Sequence, residues 1–160
     1  MLSKGEQAQT KWGGANDSID QWLAERQDLL INYCKMAGLP PYEQERKELP
    51  DITAIREFCG QLVDYVSSGH FEIYGQLIKA ARDNGASLSM DNLMEGLFPL
   101  ISDTTDIALD FNDNYGEIES VERLEQFDRN LSALGEALEL RMEFEDQLLN
   151  HLHEDKLLGQ

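Results

Sequence analysis

Cysteine, proline and positive charge are scarce in this sequence, and it has no long apolar run. Its two cysteines, Cys34 and Cys59, lie in apolar segments without the Cys-x-x-Cys spacing of metal and redox sites. Without a disulfide framework, the chain fits a reducing compartment. Since no apolar run reaches about 18 residues and the first residues lack a signal-type apolar core, we expect a cytoplasmic protein that does not bind a membrane.

The scarcity of positive charge limits the classes of partner. Thirteen lysines and arginines stand against 31 aspartates and glutamates, for a formal net charge of −18. Direct nucleic-acid binding is disfavoured, because an acidic surface repels the phosphate backbone. A basic protein is the natural partner, since opposite fields speed encounter and suppress wrong partners. The alternative is that the acidity only keeps the protein soluble.

The apolar residues recur at helical spacing, and prolines number only four in 160 residues. We therefore predict one all-α domain over residues 1–160, an antiparallel four-helix bundle. The predicted elements are a first helix that ends at Gly38, a proline-rich connector over 39–50, a second helix over 51–83, a third helix with a kink or break near Pro99, and a fourth helix over 117–156.

Two apolar stripes on the second helix predict how it packs. The main stripe is typical of a bundle seam in which glycine occupies one core position. Its members are Ile55, Cys59, Leu62, Val66, Gly69, Ile73 and Leu77. The second stripe comprises Val63, Ser67, Phe71, Tyr74 and Ile78, and the fourth helix repeats the pattern with Leu124, Phe127, Leu131, Leu134 and Leu138. The second helix thus has an apolar face wide enough for two neighbours.

Ser67, Ser68 and Gly69 weaken the second helix at its centre. A glycine in a helix interior costs about 1 kcal/mol relative to alanine, and the serines add to that loss. Close packing against a neighbouring helix, a reactive histidine at His70, or a shallow surface that a partner can approach would each explain the sequence.

His70 is the first candidate for chemistry. A histidine in the middle of a helix in a four-helix protein resembles a histidine phosphotransfer domain, in which a lysine follows the histidine. The five residues after His70, FEIYG, include no lysine. A histidine hydrogen-bonded at a helix seam is the favoured interpretation. A phosphotransfer-type signalling bundle that uses His70 stays open as the alternative function.

Metal ligands and nucleophiles have no supporting pattern. His151 and His153 lie about 200° apart around a helix, so one ion cannot bind both from one face. The segment DFNDNYGEIESVE resembles a calcium loop, but Tyr115 stands where the turn needs glycine and Val121 where a bidentate acid is required. Neither cysteine has a basic neighbour that would lower its pKa. We predict no metal, no cofactor, no catalytic residue and no enzymatic activity.

Four carboxylates of the third segment share one helical stripe. They are Asp103, Asp106, Asp110 and Asp113. Such a run is usually a solvated helix face, and we favour that interpretation over a dedicated site for a basic partner.

The segment LVDYVSSGHFEIYGQLI, residues 62–78, is similar to the signature of the regulator of sigma D (Rsd)/AlgQ family of bacterial anti-sigma factors. Three further segments agree with that family: KWGGANDSIDQWLAERQDLL, ALDFNDNYG and LGEALELRMEFEDQLL. The resemblance spans nearly the whole chain and is weakest in residues 39–50 and 83–100. It implies a four-helix bundle that binds region 4 of the primary sigma factor. Such a protein withholds sigma from core RNA polymerase and −35 promoter DNA, and so regulates transcription negatively in stationary phase.

The resemblance also implies where the sigma-binding residues lie. The family's acidic contact falls on Asp64, and its aromatic contact falls on Phe71. Ser68 and Glu72 lie along the same side of the second helix, and Ser67 is beside them, so an acid and an aromatic flank a patch of small side chains.

Trp22, in the first helix, is also assigned to the sigma-binding site, although core packing is the favoured interpretation for this residue. A generic acidic adaptor or DNA mimic, which would bind many basic proteins alike, is the other open class of function.

Overall fold

The computed structural model describes residues 6–7, 17–42, 51–69, 73–76, 79 and 87–158, with only the backbone described for 87–90 and 152–158. Four long helices make up most of this part of the chain: α1 (Asp17–Ala37), α2 (Ile52–Ser68), α3 (Ser87–Tyr115) and α4 (Phe127–Leu158). A short 3-10 helix, Val121–Leu124, precedes α4. The described residues include no strand, and the predicted all-α class is confirmed.

The four helices form a closed ring in which α1 and α3 each contact both α2 and α4. Trp22 near the start of α1 stacks on Tyr65 near the end of α2. Tyr33 near the end of α1 contacts Phe58 in the first half of α2, so the two helices run antiparallel. The ring places α3 diagonally across the bundle from α1.

Helix α4 runs antiparallel to α3 in the same way. Arg141 in the middle of α4 donates a hydrogen bond to Thr105 of α3 at 2.6 Å. Asn130 at the start of α4 donates to Tyr115 at the end of α3 at 2.7 Å. The antiparallel four-helix bundle that the apolar spacing predicts is therefore the observed architecture.

The core differs between the two ends of the bundle. One end is an aromatic cluster with neighbouring ring centroids 4.8 to 6.3 Å apart, in tilted and edge-to-face pairs. Its members are Tyr33, Phe58, Phe111, Tyr115 and Phe127. The other end is a buried polar network that involves all four helices. The described members of the predicted main seam of α2 and of the α4 seam are buried, and Leu77, Phe71 and Ile78 lie outside the described residues.

Local signals explain where α1 ends and α2 begins. Gly38, just after α1, has a φ of 68°, a left-handed conformation that favours glycine. The side chain of Asp51 accepts a hydrogen bond from the Thr53 backbone N–H at 3.2 Å and caps α2. Residues 39–42 of the proline-rich connector form no helix, and residues 43–50 lie outside the described part.

Helix α2 runs to Ser68, and the described residues that follow it in the predicted range, Gly69, 73–76 and 79, are also helical, while residues 70–72, 77–78 and 80–86 lie outside the described part. Gly69 keeps helical dihedral angles, and its N–H donates to the carbonyls of Tyr65 and Val66. A Cβ on Gly69 would lie 3.2 Å from the Tyr74 hydroxyl oxygen, so the absence of a side chain lets Tyr74, in the helical residues 73–76, pack close against it.

Helix α3 runs through Pro99 as one helix, so of the predicted kink or break the structure shows no break. A proline removes one backbone hydrogen bond of the helix. Buried residues on both sides of Pro99 hold the helix together across that gap, because they share one face against the core. These are Met94, Leu97, Ile101 and Ala108.

Helix α4 begins at Phe127, ten residues later than predicted. The side chain of Ser120 accepts a hydrogen bond from the Glu122 N–H at 3.2 Å and starts the separate 3-10 turn. Leu124 in that turn is buried, as the predicted seam requires, although it precedes α4.

Gly135→Ala is expected to lower the free energy of unfolding by about 1–3 kcal/mol through overpacking. A Cβ at this position of α4 would overlap the Tyr33 hydroxyl and lie 2.6 Å from its Cζ atom. The Tyr33 ring cannot easily move away, because its hydroxyl donates to the Leu131 carbonyl at 2.9 Å. Urea denaturation of wild type and the variant measures the difference in the free energy of unfolding.

The matched control is Gly60→Ala on α2, where an added Cβ meets no atom within 4 Å. This change should stabilise the protein by about 0.5–1 kcal/mol, since alanine is the better helix former. An equal gain for both variants would contradict the packing of Tyr33 against α4.

Candidate functional site

Asp64 lies on the exposed side of α2, between half-buried Val63 and fully buried Tyr65. Two carboxylates of α1, Glu25 and Asp28, face it across the boundary between the helices. With Gln61 and Asp64 they line a cavity of about 110 Å³, which we call the acidic groove. Three carboxylates from two helices thus meet at one surface.

A hydrogen bond at Gln61 joins the two helices that line the acidic groove. The side-chain amide of Asn32 on α1 donates a hydrogen bond of 2.6 Å to Gln61 Oε1 on α2. Asp28 and Asp64 are exposed, so a visiting side chain can reach their carboxylates, whereas Glu25 is half-buried. Such a group of acids suits lysine and arginine side chains, and a guanidinium can bind a carboxylate through two hydrogen bonds.

Other residues assigned to the site from sequence have different surroundings. Ser67 and Ser68 are half-buried at the end of α2. Phe71 and Glu72 lie outside the described residues, as does His70 of the phosphotransfer alternative. Trp22 is 1% exposed, and its ring stacks on Tyr65 at 5.8 Å and 4°. Its position is the core packing that the sequence favours, so any part it plays in the site is indirect.

Gly69 packs closely against the interior of the bundle. A Cβ there would lie 3.2 Å from the Tyr74 hydroxyl oxygen and 3.4 Å from Arg141 Nη2. Close packing, one of the three explanations for this glycine, therefore accounts for it.

A buried carboxylate lies beneath the groove, on α4. Glu145 is fully buried and accepts hydrogen bonds from the hydroxyls of Tyr65 at 2.5 Å and Tyr74 at 3.1 Å. The Nε atom of Arg141 is 3.9 Å from its Oε2 atom. Burial raises the pKa of Glu145, while Arg141, Arg26 and the two tyrosine hydroxyls oppose that rise.

The two arginines of this network are also fully buried. Arg141 donates to Thr104 and Thr105 of α3 at 3.2 and 2.6 Å, and to the Val66 carbonyl of α2 at 3.3 Å. Arg26 of α1 donates to Asp146 and to the Met142 carbonyl, both on α4. The network therefore joins all four helices. It favours one relative position of the helices, because a shift of one helix would leave a buried charge unpaired, which is costly.

The remaining sequence candidates lie elsewhere. Asp103, Asp106, Asp110 and Asp113 are exposed on α3, as expected for a solvated face, and that helix is diagonal to α1. Both cysteines are buried free thiols, and burial raises the pKa of Cys59 to about 12. In the described part of the chain, no group of three or more His, Cys, Asp or Glu side chains could hold a metal ion. Within that same part, no helix is long and apolar enough to cross a membrane.

Sequence reasoning missed Glu25 and Asp28 as partners of Asp64, and it missed the buried network. The first two lie three residues apart on one side of α1, but their neighbour across the groove depends on how the helices pack. Arg141 and Glu145 have the spacing of an ordinary surface ion pair on one helix, so nothing local marks them as buried.

Comparison with known proteins identifies the family. The family model described as "Regulator of RNA polymerase sigma(70) subunit, Rsd/AlgQ" matches residues 1–153. The protein "Regulator of sigma D" of Yersinia enterocolitica serotype O:8 is 39% identical over 93% of this chain and 88% of its own length. Its namesake in Salmonella paratyphi A is 36% identical over 93% and 90%. This chain therefore belongs to the Rsd/AlgQ family of regulators of the RNA polymerase sigma(70) subunit.

Proposed function

We propose that this protein is a non-enzymatic anti-sigma factor that captures region 4 of the primary sigma factor in the acidic groove. Capture withholds sigma from core RNA polymerase and from −35 promoter DNA, and so lowers transcription from its promoters in stationary phase. The observation that carries this proposal is the exposure of Asp64 beside Glu25 and Asp28, in a chain that belongs to a family of sigma regulators.

Charge supports competition between this protein and DNA. The region of sigma that reads the −35 element is a helix-turn-helix, which needs basic side chains to contact phosphates. The acidic groove offers carboxylates to those same side chains. Because one basic surface cannot contact both, binding of this protein and of promoter DNA should exclude each other.

The shape of α2 supports an extended contact on one side of Asp64. Ser67 and Ser68 are half-buried and small, so a partner helix can approach the last turn of α2 closely. The proposed surface continues from there to Phe71 and Glu72. An acid at one end and an aromatic at the other would give the partner both a charged and an apolar contact, as interfaces commonly do.

Asp64→Ala is expected to weaken the binding of an isolated region 4 fragment at least tenfold, because truncating one member of an interfacial charge pair costs about 2–5 kcal/mol. The bundle should stay folded with an unchanged urea midpoint, since Asp64 is exposed. Calorimetric titration of the fragment measures the dissociation constant.

Asp110→Ala is the matched control. It removes the same group from the exposed face of α3, on the opposite side of the bundle from α1. It should leave the dissociation constant within about twofold of wild type. Equal constants for wild type and Asp64→Ala would remove Asp64 from the site.

A further inference from the structure

We infer that one turn of α4, Met142–Asp146, sets the separation between the two walls of the acidic groove. Arg26 and Tyr65 are the positioning residues, because each connects one wall of the groove to this turn of α4. The consequence for affinity rests on the proposed function, whereas the effect on the groove itself does not.

Each wall of the groove has a buried residue directly beside its carboxylates. Successive side chains point about 100° apart around a helix, so a groove-facing residue can be followed by one that faces the interior. On α1, Arg26 follows Glu25 and is fully buried. On α2, Tyr65 follows Asp64 and is 1% exposed.

Both of these buried neighbours bind the same turn of α4. Arg26 donates from Nη1 to Asp146 Oδ1 at 2.8 Å and from Nη2 to the Met142 carbonyl at 2.9 Å. The Tyr65 hydroxyl donates to Glu145 Oε1 at 2.5 Å. A short path of hydrogen bonds, buried except at the partly exposed Asp146, therefore runs from one wall of the groove through α4 to the other.

These hydrogen bonds should hold the helices at a fixed separation, because they involve charged groups of the bundle interior. Hydrogen bonds to ionised groups are the stronger kind, and a low dielectric strengthens them further. The stacked rings of Trp22 and Tyr65 add a direct contact between the two walls at the same level. A shift of about 1 Å in the buried residues that position the groove carboxylates is enough to weaken a charged contact at the surface.

Tyr65→Phe and Tyr33→Phe form a matched pair of variants. Each removes one buried tyrosine hydroxyl that donates to α4: Tyr65 to Glu145, and Tyr33 to the Leu131 carbonyl at 2.9 Å. Tyr33 lies in the aromatic cluster at the other end of the bundle. Both variants should lower the urea midpoint, so a loss specific to Tyr65→Phe cannot be ascribed to stability alone.

The first measurement needs no partner. Nitroxide labels are attached at Ala24→Cys on α1 and Gly60→Cys on α2, both exposed positions, and their separation is measured by pulsed electron paramagnetic resonance. Cys34 and Cys59 are buried and should not react in the folded protein. We expect Tyr65→Phe to shift or broaden the distance distribution by about 1 Å or more. Tyr33→Phe should leave it unchanged, and an unchanged distribution for Tyr65→Phe overturns the inference.

The second measurement is the affinity for the region 4 fragment. Tyr65→Phe should weaken binding about three- to tenfold, but not when Asp64 is already alanine, because the carboxylate that it positions is then absent. Additive losses in the double variant would overturn the positioning role. If wild type fails to bind the fragment while the label distance still responds to Tyr65→Phe, the proposed function fails and the control of groove width stands.

Discussion

Glu145→Leu is expected to lower the free energy of unfolding by about 3–5 kcal/mol, which is a large part of the stability of a typical domain. The substitution removes the carboxylate next to Arg141 and the acceptor of the Tyr65 and Tyr74 hydroxyls. Arginine cannot lose its proton inside a protein, so the variant must keep a buried positive charge without that carboxylate at every accessible pH. Urea denaturation at pH 7 measures the loss.

Arg141→Met should behave differently, because the group it leaves can change its charge. Burial already raises the pKa of Glu145, and Arg141 is the strongest group opposing that rise. In the variant the folded-state pKa rises further above the ordinary value of 4.5, so the protonated carboxyl is favoured in the fold. The loss of stability should therefore be smallest near pH 4.5 and grow as the pH rises above it.

Two controls test whether burial causes these losses. Glu136→Leu changes an exposed glutamate of the same helix and should alter stability by less than about 0.5 kcal/mol. The double variant Glu145→Leu with Arg141→Met removes both charges and should cost less than the sum of the single changes. Additive losses in the double variant would contradict a coupled buried pair.

Replacing both Asp28 and Asp64 with lysine is expected to weaken region 4 binding by at least about a hundredfold. Like charges would face each other in the contact, which costs several kcal/mol. Both positions are exposed, so the fold should be retained. Stopped-flow association measures the effect, and the wild-type rate should fall as salt shortens the Debye length from about 10 to about 3 Å.

The control double variant replaces Asp103 and Asp110 with lysine on the solvated face of α3. It has the same net charge as the groove variant but leaves the groove intact. If the protein acts as a generic acidic adaptor or DNA mimic, the two double variants should lose affinity equally. A local groove predicts a much larger loss for Asp28 and Asp64.

How much of the fold the sequence predicts depends on which interactions are local. Helix α1 and the seams of α2 and α4 follow from apolar spacing and caps, which act within a few residues. The uninterrupted α3 does not, because its passage through Pro99 depends on packing against neighbouring helices. Helix α4 starts late because Ser120 caps the separate 3-10 helix that precedes it, and that short helix replaces the first turns predicted for α4.

The site shows the same division. Asp64 is proposed as a site residue from a resemblance in one segment, and the structure shows that it is exposed. Glu25 and Asp28 could not be proposed in this way, because their proximity to Asp64 arises only when α1 packs beside α2. Arg26 and Glu145 are charged residues that a sequence normally places at the surface, and only the packed bundle supplies the partners that let them be buried.

The most direct test of the account is a calorimetric titration of the wild-type protein with the isolated region 4 fragment of the primary sigma factor, repeated with −35 promoter DNA present. We expect a saturable complex whose apparent affinity falls as the DNA concentration rises, because this protein and the DNA need the same basic surface of region 4. Absence of binding between two folded partners, or binding that the DNA leaves unchanged, would contradict it.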